Sequence, residues 1–159
     1  MIFVTLGSQK FQFNRLLIEL DKLVEEKKIC NDIFAQIGYS DYKPKNYEFK
    51  EFLDREQFAE FMDKCDTVIT HGGTGAIVGA VKRDKKVIAV PRLAKFGEHV
   101  DDHQLQIIDQ FTNMNFIVGV KDTNEIYEAL ELLKTMKFKK YISNTENIIN
   151  EIEKYINQK

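Results

Sequence analysis

The sequence predicts an α/β domain in which a parallel sheet carries flanking helices, and three observations predict it. Short β-branched or aromatic runs, "IFVTL" (2–6), "TVIT" (67–70) and "KVIAV" (86–90) among them, alternate with longer stretches of helical period. The first of them, "IFVTL", is by composition a buried strand. The length of 159 residues, with 43% hydrophobic and 30% charged residues and two prolines, suits one folded core and is short for two domains.

Taken in order, the strand 2–6 ends at Gly7. From Asn14, the expected N-cap, to about Lys28, Leu16, Leu17, Leu20, Leu23 and Val24 recur at helical spacing. The next strand is "IFAQIG" (33–38), and a turn around Pro44 leads into the alternating "YEFKEFL" (47–53). Asp54 is placed to cap a helix from Arg55 to Lys64. "TVIT" precedes a helix over "GAIVGAVK" (75–82), and "KVIAV" is closed by Pro91. A helical period runs from Asp101 to Phe111, and "FIVGV" (116–120) is the last strand. Helices are expected over 123–135 and 144–157; in the second, Ile148, Ile149, Ile152, Tyr155 and Ile156 form an apolar stripe. That stripe suits docking on its own domain or on a partner.

A net charge of -2 with interleaved signs gives no footprint for nucleic acid, so an anionic ligand must be held locally. Cys30 and Cys65 lie in apolar surroundings and read as reduced core thiols. The start of the sequence lacks the basic region of a signal peptide, and no run approaches the roughly 20 apolar residues of a membrane span. The expected location is cytoplasmic.

Ligands of open parallel sheets collect at the carboxyl ends of strands. Three such ends carry unusual residues: Gly7, Ser8 and Gln9; His71, Gly72, Gly73, Thr74 and Gly75; and the loop after Pro91. Glycines let backbone N–H groups approach a ligand, and a helix start suits a phosphate or pyrophosphate, with the Thr74 hydroxyl as a further donor. The segment is neither a P-loop nor a GxGxxG fingerprint after the first strand. A tight strand-to-helix turn would explain the same glycines.

In "KFGEHVDDHQ" (95–104), His99 and His103 stand four apart with Glu98, Asp101 and Asp102 beside them. A zinc site would need one helix to cover all five, and no HExxH pattern is present. The preferred reading puts Asp102, His103 and Gln104 at a helix start, hydrogen-bonding a polyhydroxylated ligand, with Glu98 and Asp101 on a solvated face.

Together "FVTLGSQKFQFNRLL", "THGGTGAI" and "KKVIAVPRLAKFGEHVDDHQ" resemble the PssE-like donor-binding subunits of two-component capsule and exopolysaccharide glycosyltransferases of bacteria, relatives of the glycosyltransferase family 28 C-terminal domain. The resemblance implies a single Rossmann-like nucleotide-sugar-binding domain over 1–159, one half of a GT-B enzyme. It implies a UDP-sugar donor, a hexose transferred with inversion to a polyprenyl-diphosphate-linked saccharide, and a membrane-associated partner that binds the acceptor and holds this chain at the inner face of the membrane. By position, Gly7, Ser8, Gln9, His71, Gly72, Gly73, Thr74 and Gly75 would surround the diphosphate, Phe52 and Leu53 the uracil, and Asp102, His103 and Gln104 the donor sugar. His71 is equally open to the reading of a satisfied histidine at a strand end. No cofactor or metal is expected, and the catalytic base is expected on the partner. One departure is Gly79, which stands where many members carry a glutamate for the ribose. A nucleotide-sugar sensor or scaffold subunit is the alternative, and a serine hydrolase is disfavoured because no GxSxG elbow occurs.

Overall fold

The computed structural model describes residues 1–142. The helix expected over 144–157 lies outside the described residues. Six strands form one parallel sheet: β1 (Ile2–Thr5), β2 (Ile33–Gln36), β3 (Glu48–Lys50), β4 (Thr67–His71), β5 (Lys86–Val90) and β6 (Val118–Gly119). Their spatial order is β3-β2-β1-β4-β5-β6, so the chain starts in the middle, winds to one edge, then returns and winds to the other. The direction reverses between β1 and β4, where a crevice opens at the carboxyl ends of the strands.

Side chains alternate across the sheet, and each face is covered. Ile2 and Val4 of β1 and Ile88 and Val90 of β5 join one core with α1 (Asn14–Glu25) and α5 (Ile126–Thr135). Phe3, Val87 and Ala89 join the other, under α2 (Arg55–Lys64), α3 (Thr74–Val81) and α4 (His103–Asn113). In that second core Phe34 and Phe61 stack at 3.7 Å between ring centroids. Burial on both faces is why β1, β2 and β5 show no polar alternation, while the edge strand β3 keeps it.

Two details correct the sequence reading. The N-cap of α1 is Phe13; the Asn14 side chain instead accepts from the Tyr42 amide at 3.0 Å. Asn14 therefore ties the β2–β3 loop to α1, as does buried Asp21, which accepts from the Lys45 and Asn46 amides and the Tyr42 hydroxyl. Cys30 is exposed, and only Cys65 is a core thiol. Asp54 caps α2 as expected, accepting from the Gln57 amide at 2.8 Å.

Candidate functional site

A cleft of about 380 Å³ lies at the reversal point, lined by Gly7, Ser8 and Gln9 after β1 and by His71, Gly73, Gly75, Ala76 and Gly79 at β4 and α3. Gln36, Phe58 and Met62 complete its wall. A larger hollow of about 550 Å³ opens at the opposite ends of β1, β2 and β3, but its lining, which includes Met1, Asp32 and Glu48, offers no helix start. The smaller cleft is the one equipped for an anion.

Its equipment is the start of α3. Gly73 is the N-cap and provides no side-chain hydrogen bond, and the first turn carries no acidic residue. The first bond of the helix runs from the Ile77 amide to the Gly73 carbonyl at 3.1 Å. The amides of Thr74, Gly75 and Ala76 thus precede the helical ladder, at its positive end. Gly75 and Gly79 face open space, with nothing within 4 Å of a Cβ built on either.

The other glycines answer to His71. A Cβ on Gly73 would stand 2.3 Å from His71 Nε2, and one on Gly7 would stand 2.8 Å from its Cε1. Gly7 also has φ of 74°, in the left-handed region. The imidazole is therefore wedged between the two loops, and both loops close over it only because neither has a side chain there. Gly72 is likewise pressed against Gln104, whose Cβ would lie 2.7 Å from a Cβ on Gly72.

His71 itself is neutral. Burial, reinforced by the nearby Arg92 charge, pushes its pKa down to about 4. Thr70 Oγ1 donates its only proton to the Thr5 carbonyl at 2.9 Å, so toward His71 Nδ1, 3.3 Å away, it can only accept. This assigns the proton to Nδ1 and leaves the Nε2 lone pair toward Gly73. The folded pKa lies below the ordinary unfolded value near 6.5, so the unfolded chain binds more protons between the two values. Stability from this group is full above pH 6.5 and is lost as pH falls toward 4. Replacing His71 with glutamine should flatten the acid side of a pH profile of urea unfolding; an unchanged profile would mean that His71 titrates normally.

Behind the cleft lies Arg92, 1% exposed. One terminal nitrogen donates to the Leu6 carbonyl at 2.7 Å, the guanidinium carbon is 5.5 Å from the centre of the Phe13 ring, and Nε and Nη1 have no partner among the described residues. Burial lowers its pKa to about 10, which leaves it charged at neutral pH. A fixed positive charge beneath Gly7 and beside His71 adds to the field of α3. The sequence reading passed over Arg92 and Gln36. The signals for both were there: a polar residue at or just beyond the carboxyl end of an otherwise apolar strand.

The loop after β5 is held by a buried carboxylate. Glu98, expected on a solvated face, is 0% exposed; it receives Arg15 Nε at 3.1 Å, Arg15 Nη2 at 3.0 Å and the Leu93 amide at 3.0 Å. Arg15 also reaches Asp122 and the Pro91 carbonyl. This clamp fixes α1 to the segment that leads into α4. Gln104 performs the next tie, its Oε1 accepting from the Gly72 and Arg92 amides at 3.0 Å each. That use leaves only its side-chain NH₂ for a sugar. Asp102 accepts from the Ala94 amide, and exposed His103 pairs with Asp101; neither lines the cleft. Phe52 is half-exposed and meets Tyr39 edge-on, and Leu53 packs on the second core; Phe58 and Met62 of α2, not these two, form the apolar wall.

The sequence model of the glycosyltransferase family 28 C-terminal domain matches residues 1–158. The chain belongs to this family. Among curated relatives of this family 28 domain, the UDP-N-acetylglucosamine transferase subunit ALG13 of Candida albicans is 26% identical over 142 residues, which are 89% of this chain and 42% of the relative. Its counterpart in Candida glabrata is 27% identical over 124 residues, 77% of this chain and 57% of the relative. The family 28 domain described here thus spans about half the length of these relatives. Among solved structures, the calicheamicin glycosyltransferase CalG4 superposes with a TM-score of 0.60 at 16% identity, covering 84% of this chain and 34% of that one. MurG of Acinetobacter baumannii gives 0.59 at 17%, covering 84% and 41%. These likenesses show the fold: one Rossmann-like half of a GT-B architecture. Among the described residues no helix is long and apolar enough to cross a membrane.

Proposed function

We propose that this chain binds a UDP-sugar and forms the donor half of an inverting two-chain glycosyltransferase. The observation that carries the reading is the uncapped start of α3, opening with Gly7, Ser8 and Gln9 onto one cleft at the sheet's reversal point. Diphosphate oxygens would accept from the Thr74, Gly75 and Ala76 amides and the Thr74 hydroxyl, with Arg92 supplying charge from behind. As the bond between sugar and diphosphate breaks, negative charge grows on the departing UDP, and these fixed dipoles stabilise it. A divalent metal is not needed for that step. Phe58 and Met62 give an apolar wall for the base, and Gln36 and Gln9 offer amides for ribose hydroxyls where Gly79 has no side chain.

The acceptor hydroxyl must lose a proton, and among the described residues lining this cleft the one titratable side chain is His71, enclosed by Gly7 and Gly73 and, with its pKa pushed down to about 4, a weak base for that step. The base and acceptor site then belong to a second, membrane-associated chain, which would keep this one at the inner face of the membrane. The word "subunit" in the names of the two Candida relatives supports such a division. The three motifs shared with PssE-like subunits favour capsule or exopolysaccharide synthesis, with a polyprenyl-linked saccharide as acceptor. The relatives' names favour N-acetylglucosamine over glucose, galactose or glucuronic acid as the sugar.

Calorimetry with UDP-N-acetylglucosamine, UDP-glucose, UDP-galactose and UDP-glucuronic acid tests the donor class. At least one should bind more tightly than UDP, while the chain alone releases no UDP from any of them in the presence of a polyprenyl-linked saccharide. Steady turnover by this chain alone would remove the two-chain reading.

A further inference from the structure

We propose that His99, Asp101 and His103 form a binding site for one divalent transition-metal ion of the zinc class. The site stands at the start of α4, outside the lining of the donor cleft. Sequence spacing suggested this only if one helix carried all the polar residues, but the chain reaches the same end differently. His99 and Asp101 lie in the loop, His103 opens α4, and a ligand atom from each lies within 4.8 Å of the other two.

The donor set and its surroundings fit such an ion. Zinc takes imidazole nitrogen and carboxylate oxygen at about 2.0–2.2 Å, so a tetrahedral shell spaces neighbouring ligand atoms by roughly 3.3 Å. His99 Nδ1 and Asp101 Oδ1 are 3.4 Å apart. The Asp101 amide approaches His99 Nδ1 only at 3.4 Å, a long contact that an ion would replace, since this nitrogen has a single lone pair. The His99 side chain is 8% exposed and rests on Phe11 at 5.3 Å between ring centroids, which fixes one ligand in advance. Asp101 and His103 are about half exposed and hydrogen-bonded to each other; they can swing apart to admit an ion, with His103 Nδ1 giving up its proton.

Neighbouring acids are occupied elsewhere. Glu98 belongs to Arg15 and Asp102 to the Ala94 amide, so the described residues supply three ligands and water can be the fourth. The bound ion would lock the loop 94–102 to α4, the helix whose Gln104 holds the Gly72 amide. It would thus stiffen one side of the cleft without touching the diphosphate.

The test uses the full chain without a histidine tag, freed of metal by EDTA and dialysed, and titrated with Co²⁺ and then Zn²⁺ alone. One equivalent of cobalt should give visible ligand-field bands with no sulfur-to-metal charge transfer, and zinc should displace it. Zinc should also raise the thermal unfolding temperature. Asp101→Asn and His103→Asn should each weaken binding at least about 100-fold and abolish the thermal shift. Absence of stoichiometric binding, or equal binding by wild type and both variants, would overturn the proposal. No nucleotide is present in these titrations, so the result stands apart from the donor reading.

Discussion

Replacing Arg15 with alanine is expected to destabilise the domain by about 3–5 kcal/mol, because it leaves the Glu98 carboxylate buried without its counter-charge. The pair is unusually committed. Both carboxylate oxygens receive the guanidinium, Glu98 is inaccessible to solvent, and the Arg15 side chain is 17% exposed. Arg15→Lys should recover little, since a single ammonium cannot reproduce the two-point contact or hold Asp122 and the Pro91 carbonyl as well. By contrast, Arg15→Met with Glu98→Leu should recover much of the loss, because it removes both buried charges. Urea unfolding of the three variants reads these values, and a loss under about 1 kcal/mol for Arg15→Ala would show that the clamp is a surface pair in solution.

Gly73→Val should reduce UDP affinity by at least about 100-fold, equivalent to losing more than one charge-assisted hydrogen bond. The new Cβ would need the space of His71 Nε2, 2.3 Å away, and the ring is held by Thr70 and closed over by Gly7. The start of α3 must therefore shift, and its amides move off the anion. Overpacking of this kind also costs about 1–3 kcal/mol of stability. Thr74→Val separates the two effects, since it removes one hydroxyl donor and keeps the shape; a loss of roughly 10-fold is expected with little change in unfolding. Unchanged affinity in both variants would remove the diphosphate assignment.

Much of the architecture was legible because its signals are local. β5 and α2 occupy the expected residues, and the Asp54 cap and apolar runs needed no partner to be recognised. The errors arise where the chain uses an unusual residue or a distant one. α1 stops at Glu25 because Lys27 takes φ of 57°, a left-handed stop that glycine or asparagine normally announces. The expected strand 47–53 pairs only over Glu48–Lys50, since it is an edge with one neighbour.

In the site, the sequence put three strand ends on one cleft; the structure brings Gly7, Ser8 and Gln9 together with the His71 loop there, whereas no residue of the loop after Pro91 is in its lining. What the sequence left dark was why the glycines are needed. Gly7 lies 64 positions from His71, and no pattern within one segment reveals that both loops enclose the same imidazole. Arg15 and Glu98 were hidden for the same reason, being 83 residues apart. A charged residue reads as surface until its partner is found.

On the reading proposed above, the cleft between β1 and α3 receives uridine diphosphate through backbone amides. Calorimetric titration of the chain with UDP and with ADP, both in EDTA, tests it most directly. UDP should bind saturably without metal, clearly more tightly than ADP, and Gly73→Val should weaken that binding. Equal affinity for the two nucleotides, or binding of neither, would contradict it.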